Sequence, residues 1–428
     1  MNIRQELLNL YRYGKTSKGF SEAYPLLLIL LATVVTSVVP TAIYQNYLCY
    51  EVGDYAIDLS LLTVSILFVP IITKTKKNPA MIGFCVFFLI FGLISIPLAK
   101  ASEASAILTG IYTALPFLLV SCIRFTPFQG VLLRWIILIP FFAIVLQVLL
   151  YGLGFLTYVS ESTGNEVGRI GEASRIGSTV GKATGTSVFI FLCALLSALL
   201  FIKRPFFFWG ILAISFIATV ITQSRGTTLM MACYLLALST PFLKEANSKG
   251  GGFYVRILML GGVLFGGAGF LYLKPDVVEQ WRKRVDYFKG DAFDLAGRDV
   301  RGAQAIAIAK KSHYLGVGLG NYSPRKKLML GSAKRAGIGS PHNVYLLLLG
   351  EIGIVGALGY IALQIRVLYR GYKYNRWMAT IGLFILLGAG HNTEYVYLHM
   401  PFIWVFALLL AYVSHEPYQA MKTRKGAA

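Results

Sequence analysis

The sequence predicts an all-α, polytopic integral membrane protein with about 12 transmembrane helices. Three observations carry that reading. The chain has 428 residues, of which 56% are hydrophobic. Charged residues make up 14%, against ~25% in an ordinary soluble domain. The net charge is still +21, from 40 Lys and Arg against 19 Asp and Glu. A soluble basic protein carries charges of both signs over a wet surface, whereas an apolar chain with basic loops fits a multispanning membrane protein. A nucleic-acid-binding module, a disulfide scaffold and a cytosolic enzyme all fit poorly. Cys85, Cys122, Cys193 and Cys233 sit inside apolar runs and only Cys49 lies near a segment end, so neither metal-ligand spacing nor a disulfide framework is read. The first 19 residues are polar and basic and the first apolar run is long enough to span, so no cleavable signal is expected.

Apolar runs place the spans at 24–44, 56–73, 79–98, 107–123, 131–157, 185–202, 206–222, 227–243, 256–274, 342–364, 377–391 and 399–415. An even number puts both termini on one side. The positive-inside rule then chooses the side. The N-terminus, the even-numbered gaps and the tail hold 21 of the basic residues, among them Lys74, Lys76, Lys77, Arg204, Arg366, Arg370 and Arg376. That side is expected to be cytoplasmic. The chain divides into 1–274, nine spans with a short outer loop at 158–184; 275–341, a large basic outer loop; and 342–428, three spans and a cytoplasmic tail.

The two outer loops draw the functional reading. Residues 158–184 are rich in Gly, Ser and Thr and carry Arg169, Arg175 and Lys182. Residues 274–335 hold 14 basic and six acidic side chains, a net +8. A connection this long is expected to have structure or function of its own. Val277, Trp281, Val285 and Phe288 recur at helical spacing, and a second helix is expected at 297–312. The run Gly316-Val317-Gly318-Leu319-Gly320 reads as a flexible loop, since no strand–helix unit surrounds it. His313 reads as an ordinary loop residue.

The strongest local signal is Ser340-Pro341-His342-Asn343-Val344-Tyr345-Leu346, then Gly350-Glu351-Ile352-Gly353-Ile354-Val355-Gly356. Ser340 suits an N-cap and Pro341 a first helical position. His342 is then expected in the first turn of the tenth span, at the outer face, where the helix dipole disfavours a protonated imidazole. A neutral His there suits a general base. Glu351 is expected ~13 Å deeper on the same helix, in an orienting or packing role. Gly350, Gly353, Gly356 and Gly359 suit close helix packing. His391, Asn392 and Glu394 are expected in the short turn before the last span, as an interfacial anchor with Tyr395 and Tyr397 or as cavity lining. Scattered His residues give no reason to expect a metal.

This pattern resembles the signature of the O-antigen ligase and polymerase superfamily: His342-Asn343 opening a late span, then Tyr345, Leu346, Glu351, Gly353 and Gly356. Gly297-Arg298 with the Gly316–Gly320 run, Gln223-Ser224-Arg225-Gly226 and Arg175-Ile176-Gly177-Ser178 also look like the family. The resemblance implies a fold similar to the GT-C class of glycosyltransferases, with a helical periplasmic loop. It implies a bacterial inner-membrane enzyme with its active site facing the periplasm. Such an enzyme moves a glycan en bloc from undecaprenyl pyrophosphate to the lipid A–core, inverting the anomeric centre, with no metal, cofactor or nucleic acid. His342 would serve as the base. Arg225 is the first choice for the pyrophosphate, because a charge beside a membrane-embedded turn is costly unless employed and guanidinium matches phosphate oxygens. Arg169, Arg175, Arg298, Arg301 and Asn343 complete the expected binding set. An O-antigen polymerase shares these motifs. A transporter of lipid-linked glycans is the rival of another class, and it would carry charges along a central path.

Overall fold

The computed structural model describes residues 16–38, 49–52, 55–58, 77–98, 103–152, 158–159, 166–167, 183–202, 204–222, 224–239, 298–322, 343–391 and 402–415, with a few isolated positions between them. The span expected at 256–274, the amphipathic helix at 277–288 and the basic stretch Arg325–Lys327 lie outside these residues. So do Arg169, Arg175, His342, Asn392 and Glu394.

The described residues are mainly helical. In order they form α1 (Ser17–Val38), α2 (Pro79–Ile94), α3 (Glu103–Ser121), α4 (Pro127–Gly152), α5 (Ala183–Leu200), α6 (Pro205–Ile221), α7 (Arg225–Ser239), α8 (Arg298–Lys311), α9 (Val344–Lys373), α10 (Trp377–Ile385) with a π-helical extension (Leu386–Gly390), and α11 (Phe402–Ser414). Two small antiparallel ladders accompany them: β1 (Cys49–Val52) with β2 (Tyr55–Asp58), and β3 (Tyr158–Val159) with β4 (Glu166–Val167). The first ladder corrects the start of the second expected span, because residues 56–58 are strand. Apolar residues alternate there at Tyr50, Val52, Tyr55 and Ile57, the period of two that a strand uses.

Local chemistry sets several helix starts. Asn78 caps α2, its side chain accepting from the Ala80 N–H, with Pro79 in the first turn. Pro205 likewise opens α6. A missing N–H costs nothing at that position and the fixed φ suits the helix. Among the described residues α4 and α9 are long and apolar enough to cross a membrane, while most of the others are apolar but shorter.

Burial follows the apolar pattern. Along α5, residues 185–199 are all buried, and along α11 residues 402–411 are all buried. Helices apolar on every face belong inside a bundle. Helices α2, α4 and α9 instead turn large apolar side chains outward: Val86, Leu89, Ile90 and Leu93; Ile139, Phe142 and Leu146; Ile354, Val355 and Leu358. Exposed apolar surface on this scale marks contact with something other than water, as the faces of membrane-crossing helices do.

The two ends of the bundle differ. At one end the Asn78 amide donates to Ser414 Oγ at 3.3 Å, and the Arg376 guanidinium lies 4.6 Å from the Tyr412 ring centroid. Lys77, Arg366, Arg370 and Lys373 belong to this end, the one the charge rule assigns to the cytoplasm. At the other end Ser187 Oγ donates to Thr227 Oγ1 at 3.0 Å, and Phe402 packs edge-on against Phe189. The N-termini of α5, α7 and α11 therefore meet at the end opposite the basic one.

Helix α9 corrects the expectation of one straight tenth span. Gly353 has φ 69° and ψ −172°, which breaks the helix into 344–352 and 354–373. The Tyr345 hydroxyl reaches Gln364 Oε1 at 2.9 Å. In a straight helix residues 19 apart would be separated by ~28 Å along the axis. The Tyr345 and Tyr360 ring centroids are 6.5 Å apart, against ~22 Å of straight rise. The short half therefore folds back beside the long half. The long half, ~20 residues and ~30 Å, matches a hydrocarbon core by itself.

The fold turns on Gly353, so its substitution is diagnostic. A Cβ there would lie 2.2 Å from the Tyr314 carbonyl oxygen, at a positive φ. Gly353→Ala should destabilise the protein by more than the ~1–2 kcal/mol that a left-handed backbone alone costs an L-residue. Gly130→Ala, a helical position with open space, should leave the melting temperature unchanged or raise it. Thermal unfolding in detergent, followed by tryptophan fluorescence, checks both.

Candidate active site

The site expected around His342 is built on the turned-back half of α9. Asn343 caps this half, with φ −149° and ψ 117°, and its Oδ1 accepts the Leu346 N–H at 2.9 Å. This corrects the expected start. Asn343, not Ser340, is the N-cap, because its amide oxygen reaches the N3 donor. The helix opens at Val344, so position 342 precedes the cap rather than lying in the first turn. Asn343, expected to bind substrate, spends its side-chain oxygen on the helix. Because the half folds back, Asn343 lies alongside the middle of 354–373.

The glycine run is docked into the break, not loose. The Val317 N–H donates to the Gly350 carbonyl at 3.0 Å and the Gly318 N–H to the Glu351 carbonyl at 2.8 Å. The Ile354 N–H donates to the Tyr314 carbonyl at 3.0 Å. Each bond satisfies a backbone group that the break or the loop would otherwise orphan. Gly316 has φ 90°, and a Cβ there would lie 2.3 Å from the Glu351 carbonyl oxygen. Glycine is required for the approach. His313, with φ 53°, is exposed in the preceding turn, as an ordinary loop residue.

Glu351 joins the same junction. Its carboxylate accepts backbone N–H bonds from Gly320 and Tyr322. The expected orienting role is thus directed at the loop. Glu351 lies beside the turn at Gly353, not partway down a straight span. The Tyr322 ring covers Gly350, where a Cβ would meet its Cδ2 at 2.9 Å. Burial first, then the Glu351 charge, pushes the Tyr322 phenol up to about 12.

Helix α8 runs parallel to the short half of α9. Gly302 faces Leu346, Ala305 and Ile308 pack with Leu347, and Tyr314 reaches Ile354. The first turn of α8, with Arg298 and half-buried Arg301, therefore lies at the Asn343 end.

Arg225 opens α7. Tyr234 of α7 packs against Gly382 of α10, and the two helices run in opposite directions. Nine residues each way from that contact bring Arg225 level with His391. Hydroxyls surround the start of α7: Ser224 Oγ donates to Thr227 Oγ1 at 3.2 Å, Ser187 Oγ to the same atom at 3.0 Å, and Ser178 Oγ lies 2.9 Å from Thr186 Oγ1.

Sequence reasoning missed a buried polar cluster. His391 is not in an exposed turn; it is fully buried at the end of the π segment. Its Nε2 lies 3.2 Å from the Tyr360 hydroxyl, and its ring centroid is 5.5 Å from that of Tyr345. Gln364 is also buried. A lone amide at Gln364 within the apolar run after Gly359 was the available signal.

The broken helix α9, the docked glycine run and the meeting helix starts give a largely helical bundle with a polar cluster among its helix starts. Residues 210–361 match the family model described as O-antigen ligase. That stretch, over which the chain is similar to the family, runs from α6 through Gly353 into the long half of α9. No curated protein matches the chain.

The Glu351 junction gives a second prediction. Glu351→Ala strands the Gly320 and Tyr322 N–H groups, at ~1–3 kcal/mol for each buried donor left unpaired. Glu351→Gln keeps an acceptor and should lose less. Limited proteolysis should cut near residues 312–322 fastest in the Ala variant. Equal cutting of all three proteins would show that the carboxylate does not hold the loop.

Proposed function

We propose that the protein is an O-antigen ligase of the inner membrane, moving a glycan from undecaprenyl pyrophosphate to the lipid A–core at the periplasmic face. The observation that carries this reading is a convergence. The helix start bearing Arg225 is level with His391, whose ring lies beside Tyr345, and the starts bearing Asn343, next to His342 in the chain, and Arg298 with Arg301 lie at the same end of the folded-back half. Helix N-termini favour anions, and the arginines add permanent charge in planar donors.

In the proposed reaction an acceptor sugar hydroxyl attacks the anomeric carbon of the donor. The new glycosidic bond forms as the bond to pyrophosphate breaks, and the leaving group keeps the electron pair. His342 takes the hydroxyl proton. Arg225, with Arg298, Arg301, Arg169 and Arg175, stabilises the charge gathering on the pyrophosphate. Attack opposite the leaving group inverts the anomeric centre. No metal is required, because the arginines supply the electrophilic stabilisation. The basic outer loop 275–341 favours lipid A–core, rich in phosphate and acidic sugars, over a second lipid-linked glycan. A polymerase would use the latter.

Reconstitution with lipid-linked glycan and lipid A–core, in chelator, tests the reaction class, and transfer should persist. His342→Ala should fold, reach the membrane and lose ~10²–10⁴ in rate. In cells that variant should leave lipid A–core uncapped while full-length glycan accumulates on its carrier. Core bearing a single repeat would instead identify a polymerase. Near-normal transfer by His342→Ala would falsify the assignment of the base.

A further inference from the structure

The short half of α9 is a separate element, joined to the rest through one glycine, and something must fix its tilt. Tyr345 lies two residues past the Asn343 cap. Its hydroxyl lies 2.9 Å from two acceptors, Gln364 Oε1 on the long half and the Leu387 carbonyl on the π segment, which share its single proton. The Leu387 carbonyl is available for a structural reason. In an α-helix it would accept from the His391 N–H, four residues on. Here the His391 N–H donates to Leu386, five residues back. The π turn moves that N–H to the Leu386 carbonyl, so the His391 N–H does not compete with Tyr345 for the Leu387 oxygen. Such π turns cluster at functional sites. The Tyr345 ring is also held, lying 5.5 Å from the His391 ring and 6.5 Å from the Tyr360 ring between centroids. Tyr360 in turn reaches His391 through its hydroxyl. One phenol thus ties together the start of the short half, the long half and α10.

We propose that Tyr345 is a positioning residue: its hydroxyl, held by Gln364 and by the Leu387 carbonyl that the π segment releases, locks the short half of α9 and so sets where His342 stands. The catalytic consequence rests on the reading of His342 as the base. The mechanical part, a half-helix hinged at Gly353 and latched at Tyr345, stands on the hydrogen bonds alone. The latch is polar and local, while the hinge is held by backbone bonds to the 314–318 loop. Loss of the hydroxyl should therefore loosen the half without unfolding the bundle.

The test uses Tyr345→Phe in the full-length protein, which keeps the ring and removes the two bonds. The kcat for glycan transfer should fall on the order of tenfold to hundredfold, the effect of a small displacement of a reacting group. The KM for the lipid-linked donor and the melting temperature should stay near wild type. Amide hydrogen exchange should speed up over 344–352 and not over 354–373. If Tyr345→Phe does not fold, Gln364→Leu removes one of the two acceptors and should show the same separation of kcat from KM. Wild-type kcat in either folded variant, beside an inactive His342→Ala, would overturn the positioning role while leaving the base in place. If His342→Ala is active, the base assignment fails, and exchange decides the latch by itself: unchanged protection of 344–352 in Tyr345→Phe overturns it.

Discussion

A backbone interrupted inside a membrane protein must have every exposed N–H and C=O satisfied by protein, because lipid offers no donors or acceptors. At Gly353 the structure meets that demand with a loop. Residues 314–318 complete the backbone on both sides of the break, and Glu351 gathers two further N–H groups of the same loop. The fold-back of α9 depends on this closure. Without it the short half of α9 could not fold back, and Asn343 would stand at the tip of a straight span.

The closure also explains why the glycines fall where they do. Gly316 and Gly353 lie at facing positions: a Cβ on Gly316 would meet the Glu351 carbonyl oxygen, and a Cβ on Gly353 the Tyr314 carbonyl oxygen. They are two halves of one contact between segments well separated in sequence. The π segment at 386–390 solves a related problem by a different route. There the chain stays helical but moves one bond by a residue, which frees a carbonyl for a side chain on another helix.

Much of the helical layout was legible from hydropathy and end signals. The runs read at 79–98, 206–222 and 399–415 appear as α2, α6 and α11, and the helix read at 297–312 appears as α8. The break was not legible, because Gly-Glu-Ile-Gly inside an apolar run reads equally well as a packing stripe, and only the positive φ at Gly353 separates the two. The glycine run reads as flexible for the same reason: its partners lie some 35 residues away, beyond any local pattern. The end of the apolar run points to a turn at His391, whereas its burial depends on Tyr345, Tyr360 and Phe406 from other helices. Charge beside a membrane-embedded turn points to Arg225, and spacing on one helix points to Arg298 and Arg301, but only tertiary register brings the start of α8 to the Asn343 end of α9.

The order of segments along the chain bears on how this architecture is made. Residues 344–373 leave the ribosome as one continuous apolar stretch, long enough to be handled as a single span. Its length exceeds what the bilayer needs by about the length of the short half. The loop that completes the break precedes it in the chain and is already synthesised when Gly353 emerges. Folding back can therefore follow insertion at once, with the surplus turns drawn in against a docking edge that is waiting for them. Were the loop encoded after the span, the broken backbone would sit unpaired until synthesis caught up.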